Sequence, residues 1–332
     1  MTQKSKVEKT EKLLPEDQLW AGLEFPVLSY EELARQQANV EDRVHHNRGV
    51  WWRQARPFFW QPCFCYQPLN AGRVWPAHSK ALGGFTHIAE AGAETNGFFR
   101  SIVRDNIQKY SVQWVPRERR NKIRNGLANL TIRPVKPAEL LEQGYDVYVS
   151  WRNRVQWGRN KGTQEKYALW IGKVVRQPKR LRLGAFHQGR LVAFMLPFAC
   201  DEFVVLSYIA SHSDSLHLHP NDLLYHALLT IARQTAGIRM AEFGAVSSKG
   251  SLDKFKLGYG SVREFPSYTW INPIVRPFVM PMIRRKYPWL QGAQETSAPN
   301  PEAKAPEKPS QSVDVALLDA DSRQAWQKEL PR

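Results

Sequence analysis

The chain has 332 residues, 42% of them apolar, and 47 Lys and Arg against 31 Asp and Glu give it a net charge of +16. That length supplies one large domain or two ordinary ones. No apolar run approaches the roughly 20 residues of a membrane span, and 3 cysteines are too few for a disulfide framework. The expectation is a basic cytoplasmic protein, and its field gathers anionic partners such as a coenzyme, a sugar nucleotide, anionic lipid or RNA.

Residues 1–18 and 291–332 are dominated by Lys, Glu, Pro, Ser, Thr and Gln, and both are expected to be disordered because they bury too little apolar surface to offset the entropy of ordering. Between them, L-S-Y-E-E-L-A-R carries a capping box, Ser29 with Glu32, so a helix is expected from about Tyr30. Residues 49–68 interleave Trp, Phe and Arg with prolines. Short core strands are the reading preferred over a platform for stacking nucleic-acid bases. Cys63-x-Cys65 has no second Cys or His pair at zinc spacing, so no metal is expected. Gly83-Gly84 opens a strand and loop in which His87 reads as an ordinary strand histidine.

Arg117, Arg120 and Arg124 are spaced three and four apart and share one helix face, suited either to phosphate or carboxylate or simply to solvent. A strand, 130–135, follows, then a helix over Pro137–Asn153 and another from its Thr163 cap to Arg176. A hairpin turns at Gln188-Gly189. The alternating run Phe203–Ile209 is a strand, and the polar loop S-H-S-D-S-L-H-L-H-P-N-D leads into a helix with apolar positions Leu223, Leu224, Ala227, Leu228, Ile231 and Ala232. Pro220 suits that helix's first turn and Gly237 ends it. Arg239–Phe243 is a short strand, L-D-K-F-K-L-G-Y-G follows, and E-F-P-S-Y-T-W closes the sheet. Past Trp270, apolar residues mixed with Arg284, Arg285, Lys286 and Trp289 suit either an anionic membrane surface or packing back onto the domain.

A loop feeding a helix N-terminus beside a strand end is a recipe for holding an anion, because free N–H groups and the helix dipole both point into it. H-x-H-P-N-D-L-L, then E-F-G and F-K-x-x-Y-G (Phe255, Lys256, Tyr259, Gly260), resembles the GNAT-fold acyltransferases, in particular the branch related to Fem-type peptidoglycan aminoacyltransferases. R-x-x-I-R-x-G, at Arg120, Ile123, Arg124 and Gly126, resembles the same branch. The resemblance covers 115–270 and implies an α/β (α+β) fold with a mixed, mostly antiparallel central sheet flanked by helices. On this reading 116–290 is the GNAT-like domain and 19–115 a smaller aromatic-rich lobe, a partial GNAT-like half.

The implied activity is acyl transfer, from acyl-CoA or acetyl-CoA as donor, to an amine or hydroxyl of an envelope, polysaccharide or small-metabolite acceptor. Aminoacyl-tRNA is the alternative donor, and a non-catalytic nucleic-acid-binding or scaffold protein the alternative class. The resemblance places the pantetheine arm along Leu206, Ser207, Ile209 and Ala210, and the pyrophosphate at Asn221, Asp222, Leu223 and Leu224. Residues 211–222 depart from the usual acetyl-CoA loop because they contain no glycine. His212, His217, His219 and Asp222 are candidate bases, His219 foremost, because a histidine has an unperturbed pKa near neutrality. Tyr208 and Tyr259 are candidate proton donors, and Arg120, Arg124, Lys254 and Lys256 candidate holders of phosphate. No Ser-His-Asp arrangement, Walker loop or H-E-x-x-H is present, which disfavours nucleotide hydrolysis and zinc proteolysis.

Overall fold

The computed structural model describes residues 18–39, 43–70, 73–77, 82–155, 162–247 and 250–278. The termini expected to be disordered lie outside this set save Gln18, and so does the basic segment at 284–289. Strand β1 (Val27–Leu28) leads to α1 (Tyr30–Ala38), whose capping box forms as the sequence requires: Ser29 Oγ accepts from Glu32 N–H and the Glu32 carboxylate accepts from Ser29 N–H. The aromatic-rich stretch supplies β2 (Val44–Asn47), β3 (Val50–Arg56), β4 (Phe59–Pro62) and β5 (Pro68–Leu69), with Trp52 and Trp60 buried as core residues. Strands β6 (Gly84–Ala89) and β7 (Gly97–Arg104) complete this half. His87 is buried in β6, its Nδ1 2.8 Å from Ile88 O.

The second half runs α2 (Arg117–Asn129), β8 (Thr131–Pro134), α3 (Pro137–Glu142), α4 (Gly144–Val155), α5 (Gln164–Val175), β9 (Leu183–His187), β10 (Arg190–Cys200), β11 (Phe203–Ser211), α6 (Pro220–Gln234), β12 (Met240–Ala245), α7 (Gly250–Leu257) and β13 (Ser261–Ile271). The single helix expected over 137–153 is two, α3 and α4, broken at Gln143.

Among the described residues the strands form one sheet in the order β2-β3-β4-β6-β13-β7-β12-β11-β10-β9-β8, with β1 beside β10 and β5 beside β6. Most neighbours are antiparallel; β11/β12, β4/β6, β5/β6 and β1/β10 are parallel. The two halves exchange strands, since β13 lies between β6 and β7, and β7 lies between β13 and β12. One face of the second half is covered by α6 and α2, the other by α3, α4 and α5. The mixed, mostly antiparallel sheet flanked by helices is the architecture that the family resemblance implies.

Candidate functional site

Strand β11 makes the site by changing partners along its length. Phe203, Val204 and Val205 pair in parallel with Met240, Ala241 and Glu242, and beyond Val205 no further ladder joins β11 to β12. On its other edge β11 stays paired with β10 to Ser211, but a bulge sets Ser207 and Tyr208 opposite Leu196 alone. A bulge breaks the in-out alternation, so Leu206 and Ile209 pack toward α6 while Ser207 and Tyr208 both reach the opposite face.

On that face is a cleft with about 110 Å³ of free volume. Its floor is β10 and β11, and its walls come from α1 (Leu33, Gln37), α5 (Trp170, Val174), the 177–180 link and the first half's Arg53 and Cys63–Cys65. Arg180 bridges floor and wall: its guanidinium donates to Ser207 Oγ, to Leu196 O at 3.2 Å and to Gln177 Oε1 at 2.6 Å. Ser207 in turn donates to Leu196 O at 2.5 Å, which holds the bulge. Lys179 pairs with Glu32 at 2.6 Å. Tyr208 is packed by Phe194, Trp151 and Trp170, and its hydroxyl is buried with no hydrogen-bond partner among the described residues. Burial pushes its pKa well above the ordinary phenol value, so it is a neutral phenol at physiological pH. Gln37 Oε1 is likewise buried and unpartnered.

Behind the sheet, the corner where α6 begins is occupied by the chain's own side chains. His219, half-buried with φ 57°, is the N-cap of α6 and makes no side-chain cap hydrogen bond. Asp222, in the first turn, accepts from Arg119 at 3.0 Å and from Tyr259 at 2.7 Å. Arg119 lies over the Phe255 ring at 4.5 Å. Burial and the Asp222 carboxylate together hold the Tyr259 phenol well above its usual pKa. The loop before α6 spends several amides internally: Ser213 N–H donates to Ser150 Oγ (2.9 Å), Asp214 N–H to His212 Nδ1 (3.3 Å) and His219 N–H to Leu216 O (3.0 Å), while Pro220 has none to offer. Asn221 donates to Ser211 Oγ at 3.2 Å.

The remaining expected site residues are dispersed. Ala210, Leu223 and Leu224 are core residues. Arg120 donates to Gln113 at 2.5 Å and Arg124 to Asn121 at 3.2 Å, both on the outer side of α2. Lys254 is exposed, whereas Lys256 is buried and donates to Ala245 O at 3.3 Å, at the end of β12. Sequence reasoning missed Arg119, Arg180 and Arg154. The last donates from α4 to Ser211 O and Ser213 Oγ at the mouth of the splay (3.1 and 2.9 Å).

A strand that parts from its parallel neighbour, bulges at the parting point and feeds a helix is the arrangement of a GNAT-like fold. No family model and no curated protein matches the sequence. Solved structures do. The chain is similar to FemX, with 10% identity and a TM-score of 0.53 over 74% of this chain and 92% of that one. It is similar as well to the C-terminal domain of a protein assigned as a lysylphosphatidylglycerol synthetase from Agrobacterium fabrum, with 11% identity and a TM-score of 0.51 over 77% of this chain and 97% of that one. The fold is therefore GNAT-like and Fem-related.

Proposed function

We propose that the chain moves an acyl group from a carrier onto an amine or hydroxyl of an acceptor held in the cleft. The observation that carries this reading is the bulge of Ser207 and Tyr208 at the floor of the cleft, beginning two residues past the last β11/β12 pair. Backbone N–H groups released there are suited to the oxyanion that forms as the acceptor attacks the donor carbonyl. As that intermediate collapses, the bond to the carrier breaks and its heteroatom takes a proton. Tyr208, a neutral phenol at that position, is the proposed donor of that proton or of a hydrogen bond to it. Trp170, Phe64 and Phe198 beside Arg53, Lys179 and Arg180 suit a ring-bearing acceptor with an acidic group, as on a glycan of the cell envelope.

The α6 corner supports aminoacyl-tRNA over acyl-CoA as the carrier. A pyrophosphate needs open amides and a positive helix end, and here Asp222 already places a carboxylate there, with the neighbouring amides of Ser213, Asp214 and His219 used. A carrier held by its own long anionic backbone needs no such cradle, and the +16 charge serves it. Two measurements on the intact protein test the choice. Binding of tRNA that weakens steeply with salt, with no thermal shift from millimolar coenzyme A, is expected. Saturable protection by coenzyme A with no tRNA affinity would reverse it.

A further inference from the structure

The link from β7 to α2 carries a tryptophan that the backbone holds out in solvent. Residues Val112–Trp114 form a short 3₁₀ turn, in which Gln113 N–H donates to Ser111 Oγ at 3.3 Å, Trp114 N–H to Ser111 O at 3.0 Å and Val115 N–H to Val112 O at 3.1 Å. Val112 and Val115 stand one 3₁₀ turn apart and both pack into the core, which leaves the Trp114 ring outside, 50% exposed. The guanidinium of Arg104, the last residue of β7, lies over that ring at 4.7 Å. Its buried Nε has no hydrogen-bond partner among the described residues. An indole fixed in water by its backbone and backed by a cation is a platform on which another flat ring can stack.

Further cations stand around the platform. Arg117 is exposed in the first turn of α2, and Arg120, on the next turn, is anchored beside Trp114 by its 2.5 Å hydrogen bond to Gln113 Oε1. The acids of this face are engaged elsewhere: Asp105 pairs with Arg263 at 2.6 Å, Glu118 with Lys122 at 2.5 Å and Asp222 with Arg119 at 3.0 Å. Guanidinium groups spaced about an open indole match the phosphates on either side of an unpaired base. A bilayer would instead call for a broad apolar face. Helix α2 covers the face of the sheet across from the cleft, so a donor carried here and an acceptor in the cleft would reach the splay of β11 from opposite sides.

We infer that Trp114, with Arg104, Arg117 and Arg120, is the surface on which the RNA carrier docks, an unpaired base lying on the indole and its flanking phosphates against the guanidinium groups. This rests on aminoacyl-tRNA as the carrier. The test is the affinity of the full chain for unacylated tRNA, measured across a salt series. Trp114→Ala is expected to weaken binding about tenfold with the salt dependence unchanged, while Trp114→Phe keeps most of the affinity. Arg117→Gln is expected to reduce the slope of log affinity against log salt by about 1. An unchanged melting temperature shows that a variant is folded, and Arg117→Gln, at an exposed position, keeps the test decisive even where a tryptophan variant does not fold. Should the wild-type chain bind tRNA and the folded variants bind it as tightly and with the same slope, the docking surface is overturned while the choice of carrier stands. Should the wild-type chain bind no tRNA, the choice of carrier falls and takes the docking surface with it. Loss of binding to vesicles containing anionic phosphatidylglycerol in Trp114→Ala, with tRNA affinity intact, would make this face a membrane contact and overturn the inference as well.

Discussion

His226 illustrates how a buried side chain ties stability to pH. It sits on α6 with its Nδ1 2.9 Å from the Tyr110 hydroxyl and the Trp20 ring at 5.5 Å, and burial first, then Arg233, lowers its pKa to about 4. The unfolded chain protonates this group near pH 6.5 and the folded chain does not, so between these values the unfolded state binds more protons. Stability is therefore full above about pH 6.5 and falls toward pH 4, by roughly 3 kcal/mol from this group. Denaturant melts at pH 7 and pH 4.5 should show the loss, and His226→Gln should flatten the curve over that window. Glu139, held at a pKa of about 2 by its paired hydrogen bonds from Arg133, acts at lower pH: its contribution is present above about pH 4.5 and is lost below it. Tyr208 separates stability from chemistry in the same way. Its hydroxyl has no partner to lose, so Tyr208→Phe should leave the melting temperature unchanged or slightly raised. The same substitution should lower kcat/KM for acyl transfer by about 100-fold if the phenol serves the leaving group. An unchanged rate would remove it from the reaction.

The F-K-L-G-Y-G element gains a physical account once its contacts are known. Phe255 supports Arg119, Lys256 ties α7 to the end of β12, and Tyr259 donates to Asp222. A Cβ on Gly260 would run into the Val103 carbonyl of β7. Gly260→Ala is therefore expected to destabilise the protein by about 2 kcal/mol or more, since backbone must move. Asp222→Asn should cost about 2 kcal/mol because it leaves the partly buried Arg119 guanidinium beside a neutral amide. A double-mutant cycle with Arg119→Met, followed by chemical denaturation, should recover a coupling of about 1 kcal/mol or more. The sequence made this motif and α6 legible because their signals are local: apolar spacing, a first-turn proline, a closing glycine. It pointed to Arg120 and Arg124 on α2, where the inward residue is Arg119. A usable signal was present, since Arg119, Ile123 and Gly126 are spaced four and three apart and form one stripe, and a Cβ added at Gly126 would crowd the Leu223 side chain at 3.0 Å. Which charge of a first turn faces inward depends on the partner helix, and spacing among arginines alone does not encode that.

Long-range exchange is what local pattern could not disclose about the molecule. The order of strands and helices from β8 to β13 follows from periodicity and turn residues, and so does the hairpin at Gln188 and Gly189, both at positive φ. The alternating stretch that became β7 lay unassigned, and nothing near it in sequence says that it pairs with β12 and β13 from the far half of the chain. The splay of β11 from β12 is equally non-local, because it is visible only where their ladder stops. This exchange has a consequence for folding. Strand β7 satisfies one edge of β12 and one edge of β13, so a chain that begins at Val115 would expose both edges and lose the cover that Phe99, Ile102 and Val103 give the core. The halves should therefore unfold together, because neither closes its part of the sheet alone. Urea denaturation of the intact protein, followed in parallel by tryptophan fluorescence and far-ultraviolet circular dichroism, should give coincident transitions. The fragment from Val115 to Phe278 should show no cooperative transition by itself, and a sharp one would mean that β7 can be spared.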